Sequence, residues 1–495
     1  MKRRRRDGCD DVDSTRPLQL RDPRSGAGAV LADVVACADR DDAPERLLAH
    51  LLHPLSVVRF EEEVWERRPV HISRCNARFF DGLFSTEDVR ALLAARRLRY
   101  GLHVDVTRYD VTHGRTTLNE RNDVANGDAV WRRYADGCSV RVLHPQRWCD
   151  ALHSTLGVLE RHFNCAAGCN AYLTPPGSAG FAPHYDDVDA FVCQLEGRKR
   201  WRLYPPRDTC EVLPRVSSLN FRESELGPPT LEVVLEPGDV LYMPRGCIHQ
   251  AESLPGAHSL HVTLSTGHAN TWADLLELAL PAALAQAAEE LPALRASLPR
   301  RLLDRVGVMH EPAPGDDAEA EDEAAVQRTE FLEHAHALLQ AVVERMPLDA
   351  AADQLGARFM RTRLAPAGRT GGASRPKLGP RTKLRLRFAG AARLVVEDEE
   401  ACVYHPFANE RLTAMAGYGT TPQGVSGGDA ASAADVEAED AARLVFALDA
   451  APSIEALLRA HSQPLELRAL PGGGGADDAR IATRLLDAGV LVLEP

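Results

Sequence analysis

The chain has 495 residues, enough for two to four domains, and its 44% hydrophobic share is that of a globular protein with a buried core. A net charge of −13 argues against a nucleic-acid backbone as the main partner of the whole chain, and a basic protein fits that sign better. Eleven cysteines without a CxxC pair exclude a disulfide framework, and no apolar run reaches membrane-span length or forms a signal-peptide core, so a soluble intracellular protein is expected.

Residues 1–28 open with Lys2-Arg3-Arg4-Arg5-Arg6 and continue through Asp, Arg, Pro and Gly, a composition that predicts disorder. The basic run suits a nuclear localisation signal, a nucleic-acid arm or a solvated tail. From 29 to about 100 the pattern is mostly helical. Pro44 to Leu52 has a helix start and an apolar face, Ser85-Thr86-Glu87-Asp88-Val89 resembles a helix N-terminus, and Phe60 to Ile72 reads as helix then strand. This predicts a helical cap over the first strands of a sheet.

From about 100 to 270 the elements are short, strand-like and punctuated by Pro and Gly, which predicts an antiparallel barrel or sandwich. Within it stands FAPHYDDVDAFVCQLEGRKRWRLYPP, residues 181–206. His184 and Asp186 are two apart in a run read as a strand, so period-2 alternation sends both side chains to one face. They supply two corners of a 2-His-1-carboxylate triad, which leaves open positions on a non-haem Fe(II). His249, in EPGDVLYMPRGCIHQAE, is the candidate third corner, with His258 and His261 as fallbacks. Lys199, in the next strand-like run, places a cation suited to the distal carboxylate of a small dicarboxylate co-substrate. A second His-x-Asp, His103 and Asp105, lacks the strand, turn and histidine that follow the first and reads as ordinary surface. His258 to Ser265 alternates, with His261, Thr263 and Ser265 on one face and Leu260, Val262 and Leu264 on the other; the polar face is expected to point inward.

Residues 271–303 are mostly Ala and Leu at helical spacing, with expected breaks at Pro281, Pro292 and Pro299. Such a bundle buries its apolar face either on its own barrel or against a second copy as a homodimer. An acidic linker follows from Glu311 to Glu323, then another helical run to about 361. Lys383 to Phe388, Arg393 to Val396 and Cys402 to Tyr404 alternate as strands, and Ile481 to Leu493 reads as helix then strand. The whole predicts a compact α+β unit of winged-helix type, suited equally to protein contact and to nucleic acid.

The stretches GFAPHYDDVDAFVCQLEGRKRWRLYPP, YMPRGCIHQAE and HSLHVTLST resemble the JmjC ribosomal oxygenases, described as bifunctional lysine-specific demethylases and histidyl-hydroxylases. The resemblance implies an α+β fold: a double-stranded β-helix (JmjC/cupin) barrel over 29–270, a helical dimerisation region with its linker over 271–355, and a winged-helix domain over 356–495. It implies His184, Asp186 and His249 on Fe(II), with 2-oxoglutarate and O2 as co-substrates. Lys199 then binds the 2-oxoglutarate carboxylate, Asn170, Tyr172 and Thr263 line that pocket, and Arg141 and Ser265 face the bound peptide. The implied reaction is hydroxylation of a histidine in a ribosomal protein, with demethylation of histone H3 lysine as the alternative from the same chemistry. A homodimer in the nucleus or nucleolus is implied as well. A catalytically silent chromatin-binding scaffold is the rival from another class, and the complete triad with Lys199 counts against it.

Overall fold

Two-residue alternation governs the chain between residues 100 and 266, and in the computed structural model that stretch folds as a set of mostly antiparallel strands. The structure describes residues 15–22, 38–119, 124–267, 269–310, 323–366, 377–411 and 441–494. It divides into two compact units, one of residues 1–269 with 359–495, the other of residues 270–358.

The first unit carries β1 (Leu18–Asp22), β2 (Val70–Arg74), β3 (Val104–Asp110), β4 (Gly114–Thr117), β5 (Ser139–Leu143), β6 (Gly168–Thr174) and β7 (Asp189–Gly197). β8 (Lys199–Tyr204), β9 (Leu231–Leu235), β10 (Val240–Met243), β11 (Ile248–Ser253) and β12 (Ser259–Thr266) follow. They form a nine-stranded sheet in the order β1-β2-β10-β7-β12-β6-β5-β3-β4 and a three-stranded sheet, β11-β8-β9.

Strand parity sorts the large sheet into two faces. Val104 and Val106, Val140 and Val142, Ala171 and Leu173, Phe191 and Cys193, and Leu260, Val262 and Leu264 all enter one apolar core. The same core takes the buried faces of α1 (Ala43–Leu52), with Leu47, Leu48, Leu51 and Leu52, and of α4 (Asp150–Phe163), with Leu152, Leu156 and Leu159. Between these helices lie α2 (Thr86–Ala95), whose N-cap Ser85 accepts from Asp88 N, and α3 (Gly127–Ala135). Helices cover one face, so the opposite face, with Asp105, Arg141, Tyr172, His261 and Thr263, is left for the interior of the barrel. The small sheet meets that polar face: Trp201 of β8 lies 5.3 Å from His261, edge to face, and a second apolar core joins Val192, Leu241 and Met243 to Leu203, Val233 and Leu235.

One expectation for the N-terminus is corrected. Leu18–Asp22 falls inside the stretch expected to be disordered, yet it forms β1, parallel to β2 in the register Leu18↔Val70 to Asp22↔Arg74. The reason is local: Leu18 and Leu20 alternate onto the core, and buried Asp22 lies 3.1 Å from His53 Nδ1. Residues 1–14 lie outside the described residues.

In the second unit, α5 (Trp272–Glu290) is capped by a reciprocal Thr271–Asp274 pair, and α6 (Glu323–Val343) packs on it through Ala283, Ala287 and Val342. Pro281 does not break α5 as expected. A proline removes one intrahelical bond, and in a helix of 19 residues that loss is absorbed. Pro292 behaves as expected, opening a new turn at Pro292–Arg295. The acidic linker lies outside the described residues up to 322. Helix α7 (Leu348–Thr362) leads out of this unit into the C-terminal part of the first.

That part holds β13 (Lys383–Leu386), β14 (Arg393–Glu397), β15 (Glu400–Tyr404), β16 (Arg443–Ala447), β17 (Leu465–Glu466) and β18 (Leu491–Glu494), in two sheets, β17-β13-β18 and β14-β15-β16. With α8 (Ala451–Arg459) and α9 (Ala476–Asp487) they enclose a core of Leu384, Leu386, Phe388, Ile454, Leu457, Ile481 and Leu485. It is fastened to the barrel at α4. There fully buried Glu160 accepts from Leu364 N at 2.9 Å and from Ala167 N at 3.1 Å, and His153 Nε2 bonds Ala365 O at 2.6 Å.

Candidate metal centre

His184 and Asp186 are not in a regular strand. They occupy the connection between β6 and β7, which pairs with the start of β11 at a single bridge: His184 N donates to His249 O at 3.1 Å and His249 N to His184 O at 2.8 Å. Gly246 N donates to Asp186 O at 2.9 Å, so the PRG turn grips the backbone of the acid. Gly246 has φ +86°, and a Cβ there would stand 2.1 Å from Glu211 O, which is why the turn needs glycine. From the other side, Ser218 Oγ accepts from Tyr185 N at 2.8 Å and Phe221 N donates to Pro183 O at 2.8 Å. The two side chains still turn to one point, because the segment is pinned on both sides.

Three side chains converge. His184 Nε2 lies 3.8 Å from one oxygen of Asp186, and His249 Nε2 lies 3.9 Å from the other. Ligand atoms of His184, Asp186 and His249 all fall within 4.8 Å of one another, the one such group found among the described residues. Each imidazole is oriented by its other nitrogen: His184 Nδ1 sits 2.8 Å from Ala182 O, and His249 Nδ1 sits 3.0 Å from Cys247 O. A carbonyl only accepts, so Nδ1 carries the proton in both rings and each Nε2 presents a lone pair to the shared point. Burial, and next the neighbouring His184, hold the His249 pKa well below its ordinary value, keeping that ring neutral as a metal ligand must be. The fallback histidines do not compete. His258 pairs with Glu196 at 2.8 Å, and His261 is stacked on Tyr172 with centroids 4.8 Å apart.

Beside the triad the interior holds more donors than it uses. Lys199 opens β8, is 4% exposed, and gives one hydrogen bond, from Nζ to Thr174 Oγ1 at 3.2 Å. Burial alone pulls its pKa down from 10.5 to about 7. Thr174 is in turn bonded by Ser139 Oγ at 3.2 Å. Gly180 passes so close to this shelf that a Cβ would meet Ser139 Cβ at 2.5 Å. Trp201 Nε1 and His261 Nδ1 are buried without a hydrogen-bond partner. An ammonium with two spare protons next to unpartnered polar atoms fits a small anionic co-substrate with carboxylate oxygens.

The remaining expected residues fall on the same face. Asn170 and Tyr172 stand two apart on β6; Thr263 of β12 pairs with Asn170, Ser265 with Gly168, and Arg141 of β5 with Tyr172. Phe181 edges onto Tyr172 at 5.4 Å and lies 6.3 Å from the His184 ring, joining this row to the triad. Sequence reasoning missed Phe181, Trp201 and the Ser139–Thr174 shelf. Parity was the available signal, since Lys199 and Trp201 are two apart on β8, and Ser139 pairs through its row with Thr174.

The family model for the JmjC domain matches residues 141–275. Ribosomal oxygenase 1 of Danio rerio is 39% identical over 401 residues, covering 77% of this chain and 72% of that protein. Ribosomal oxygenase 1 of Homo sapiens is 36% identical over 482 residues, covering 94% and 70%. The bifunctional lysine-specific demethylase and histidyl-hydroxylase NO66 of Aedes aegypti is 36% identical over 463 residues, covering 90% and 67%. The crystal structure of the Escherichia coli ribosomal oxygenase YcfD spans 89% of this chain and 98% of its own at 15% identity and a TM-score of 0.40, a distant likeness.

Proposed function

The chain belongs to the JmjC ribosomal oxygenases, and from that premise we propose that it is an Fe(II)- and 2-oxoglutarate-dependent protein oxygenase that hydroxylates a histidine of a ribosomal protein. The observation that carries this reading is the convergence of two Nε2 lone pairs and one carboxylate within 4.8 Å, beside a buried, under-bonded lysine. Two imidazoles and one carboxylate suit Fe(II) and leave positions open for co-substrates.

Bound iron, with 2-oxoglutarate and O2, supplies the oxidising power that places one oxygen atom in a C–H bond while the keto acid becomes succinate and CO2. The protein's own residues do the rest. His184, Asp186 and His249 would hold the metal, the two imidazoles oriented by the carbonyls of Ala182 and Cys247. Lys199 receives the distal carboxylate in the protonated state, steadied by Thr174, with Asn170, Tyr172 and Thr263 along the pocket wall. Trp201, Leu203 and His261, all buried, keep water from that wall. Arg141 and Ser265 face the peptide in this reading.

A neutral imidazole suits this site better than a methylated lysine. Phe181 already has the guanidinium groups of Arg115 and Arg141 over its ring at 4.5 and 5.5 Å, so an incoming cation meets like charge. The same reading takes the helical unit as a homodimer surface, supported by the exposed side chains of Leu284, Leu339 and Val343. It also takes the C-terminal α+β part as a winged-helix module, the Lys2–Arg6 run as a nuclear, and in the family's manner nucleolar, address, and a basic ribosomal protein as the partner of this acidic chain. The test is intact mass spectrometry of ribosomal proteins from cells with and without the gene. One histidine lighter by a single oxygen in the deleted cells is expected, and unchanged masses would refute the reading.

A further inference from the structure

Asp105, the carboxylate of the second His-x-Asp, is not surface. It lies on β3 in a cross-strand row, Asp105–Arg141–Tyr172–His261, on the polar inner face of the large sheet, and is 5% exposed. Its Oδ2 accepts from Arg141 Nε at 3.1 Å and also from Nη2, while Oδ1 accepts from Asn119 Nδ2 at 2.9 Å. Asn119 is itself fixed, its Oδ1 accepting from Val106 N at 3.0 Å. Arg115 shares the Phe181 ring with Arg141, and its Nε is buried with no hydrogen-bond partner. Two guanidinium groups over one ring repel each other, and each feels the attraction of Asp105.

We infer that Asp105 is a positioning residue for peptide capture: its Oδ2, accepting from both Nε and Nη2, holds Arg141 over the Phe181 ring and offsets the push from Arg115. The inference rests on the reading of Arg141 as a peptide-facing residue. A carboxylate that receives both Nε–H and Nη–H fixes the guanidinium plane as well as its position, which a single bond cannot do. The guanidinium, which Tyr172 also contacts, is then presented in one orientation to an acceptor on the peptide. Neutralising Asp105 leaves two unbalanced cations, and Arg141 turns away from the ring.

The experiment measures binding of a labelled synthetic peptide, a histidine flanked by lysines and arginines, to the manganese-loaded enzyme with 2-oxoglutarate, by fluorescence anisotropy. Asp105→Asn is expected to weaken peptide binding about tenfold or more while leaving 2-oxoglutarate affinity unchanged. In an Arg141→Ala background the same substitution is expected to change peptide affinity by less than about twofold, because the residue it acts through is gone. Asp105→Glu keeps the charge and is expected to restore part of the binding; Asp105→Ala, which also removes the charge, takes the place of Asp105→Asn in both backgrounds if that variant does not fold. Unchanged peptide affinity in Asp105→Asn, an equal loss in the Arg141→Ala background, or a parallel loss of 2-oxoglutarate affinity overturns the inference alone. Wild-type enzyme that takes up manganese and 2-oxoglutarate yet binds no such peptide overturns the substrate reading beneath it.

Discussion

Lys199 offers the sharpest quantitative test of the site. Its ammonium is buried with one hydrogen bond, and burial lowers its pKa from 10.5 to about 7. At about 1.36 kcal/mol per pKa unit, charging this side chain in the empty pocket costs on the order of 5 kcal/mol, a cost that an incoming carboxylate offsets. The direction follows from linkage: the folded pKa is depressed below the unfolded one, so between about pH 7 and 10 the unfolded chain binds the extra proton and stability rises with pH. Below about pH 7 the empty enzyme carries the full penalty. Lys199→Met removes it, so the co-substrate-free variant is expected to be more stable than wild type near pH 6.5, by a few kcal/mol at most, in urea denaturation. With co-substrate the order reverses. The carboxylate raises the lysine pKa, binding above pH 7 takes up a proton, and the 2-oxoglutarate Kd is expected to rise up to about tenfold per pH unit beyond about pH 7. Calorimetry in buffers of different ionisation enthalpy reads that proton directly. A Kd that stays flat between about pH 6.5 and 8.5, with no proton uptake, refutes the assignment of Lys199 as the carboxylate anchor.

Two further outcomes follow from the same structure. Manganese is expected to raise the melting temperature of wild type and to leave Asp186→Ala and His249→Ala unmoved, since each removes one of three ligands; stabilisation equal to wild type in either variant removes that residue from the triad. Glu160, fully buried where α4 meets Leu364, has its pKa raised from 4.5 to about 7 chiefly by burial. The folded state holds a proton that the unfolded chain releases, so this stabilisation is complete below about pH 4.5 and is lost as pH rises through about 7. Amide exchange at Leu364 is expected to quicken between about pH 6 and 8, and a rate with no dependence beyond that of the intrinsic chemistry rejects Glu160 as the proton-linked clasp.

The sequence was legible wherever one periodicity sufficed. Lys199–Tyr204 and Ser259–Thr266 are strands that alternate, Val240–Met243 is a short apolar run between two turn signals, and the inward turn of His261 was read from its place a hairpin's reach after His249. It was less legible where pairing, not propensity, sets the backbone. Nothing in HYDD states that Ser218, Phe221, Gly246 and His249 hold it from two sides, and β1 exists because Leu18 and Leu20 find β2 to lie on.

The two His-x-Asp motifs show where the limit lies. Both bring a carboxylate to the interior of the barrel, but only Asp105 is hydrogen-bonded to a cation there, while Asp186 faces two imidazoles at 3.8 and 3.9 Å. The backbone around them differs. At 184–186 the chain leaves the ladder and is pinned to residues 246 and 249, which bring a second imidazole to within 4.5 Å of the first, centroid to centroid. At 103–105 the acid sits within regular β3, its cross-strand neighbour is Arg141, and His103 turns instead to cap Arg99 N through its Nδ1 and to edge onto Trp148. A carboxylate whose neighbours are two lone pairs recruits a metal ion; one whose neighbour is a guanidinium is already neutralised and aims that cation instead. The chemistry of His-x-Asp is therefore decided by the residue across the sheet, which a single chain read in order does not reveal.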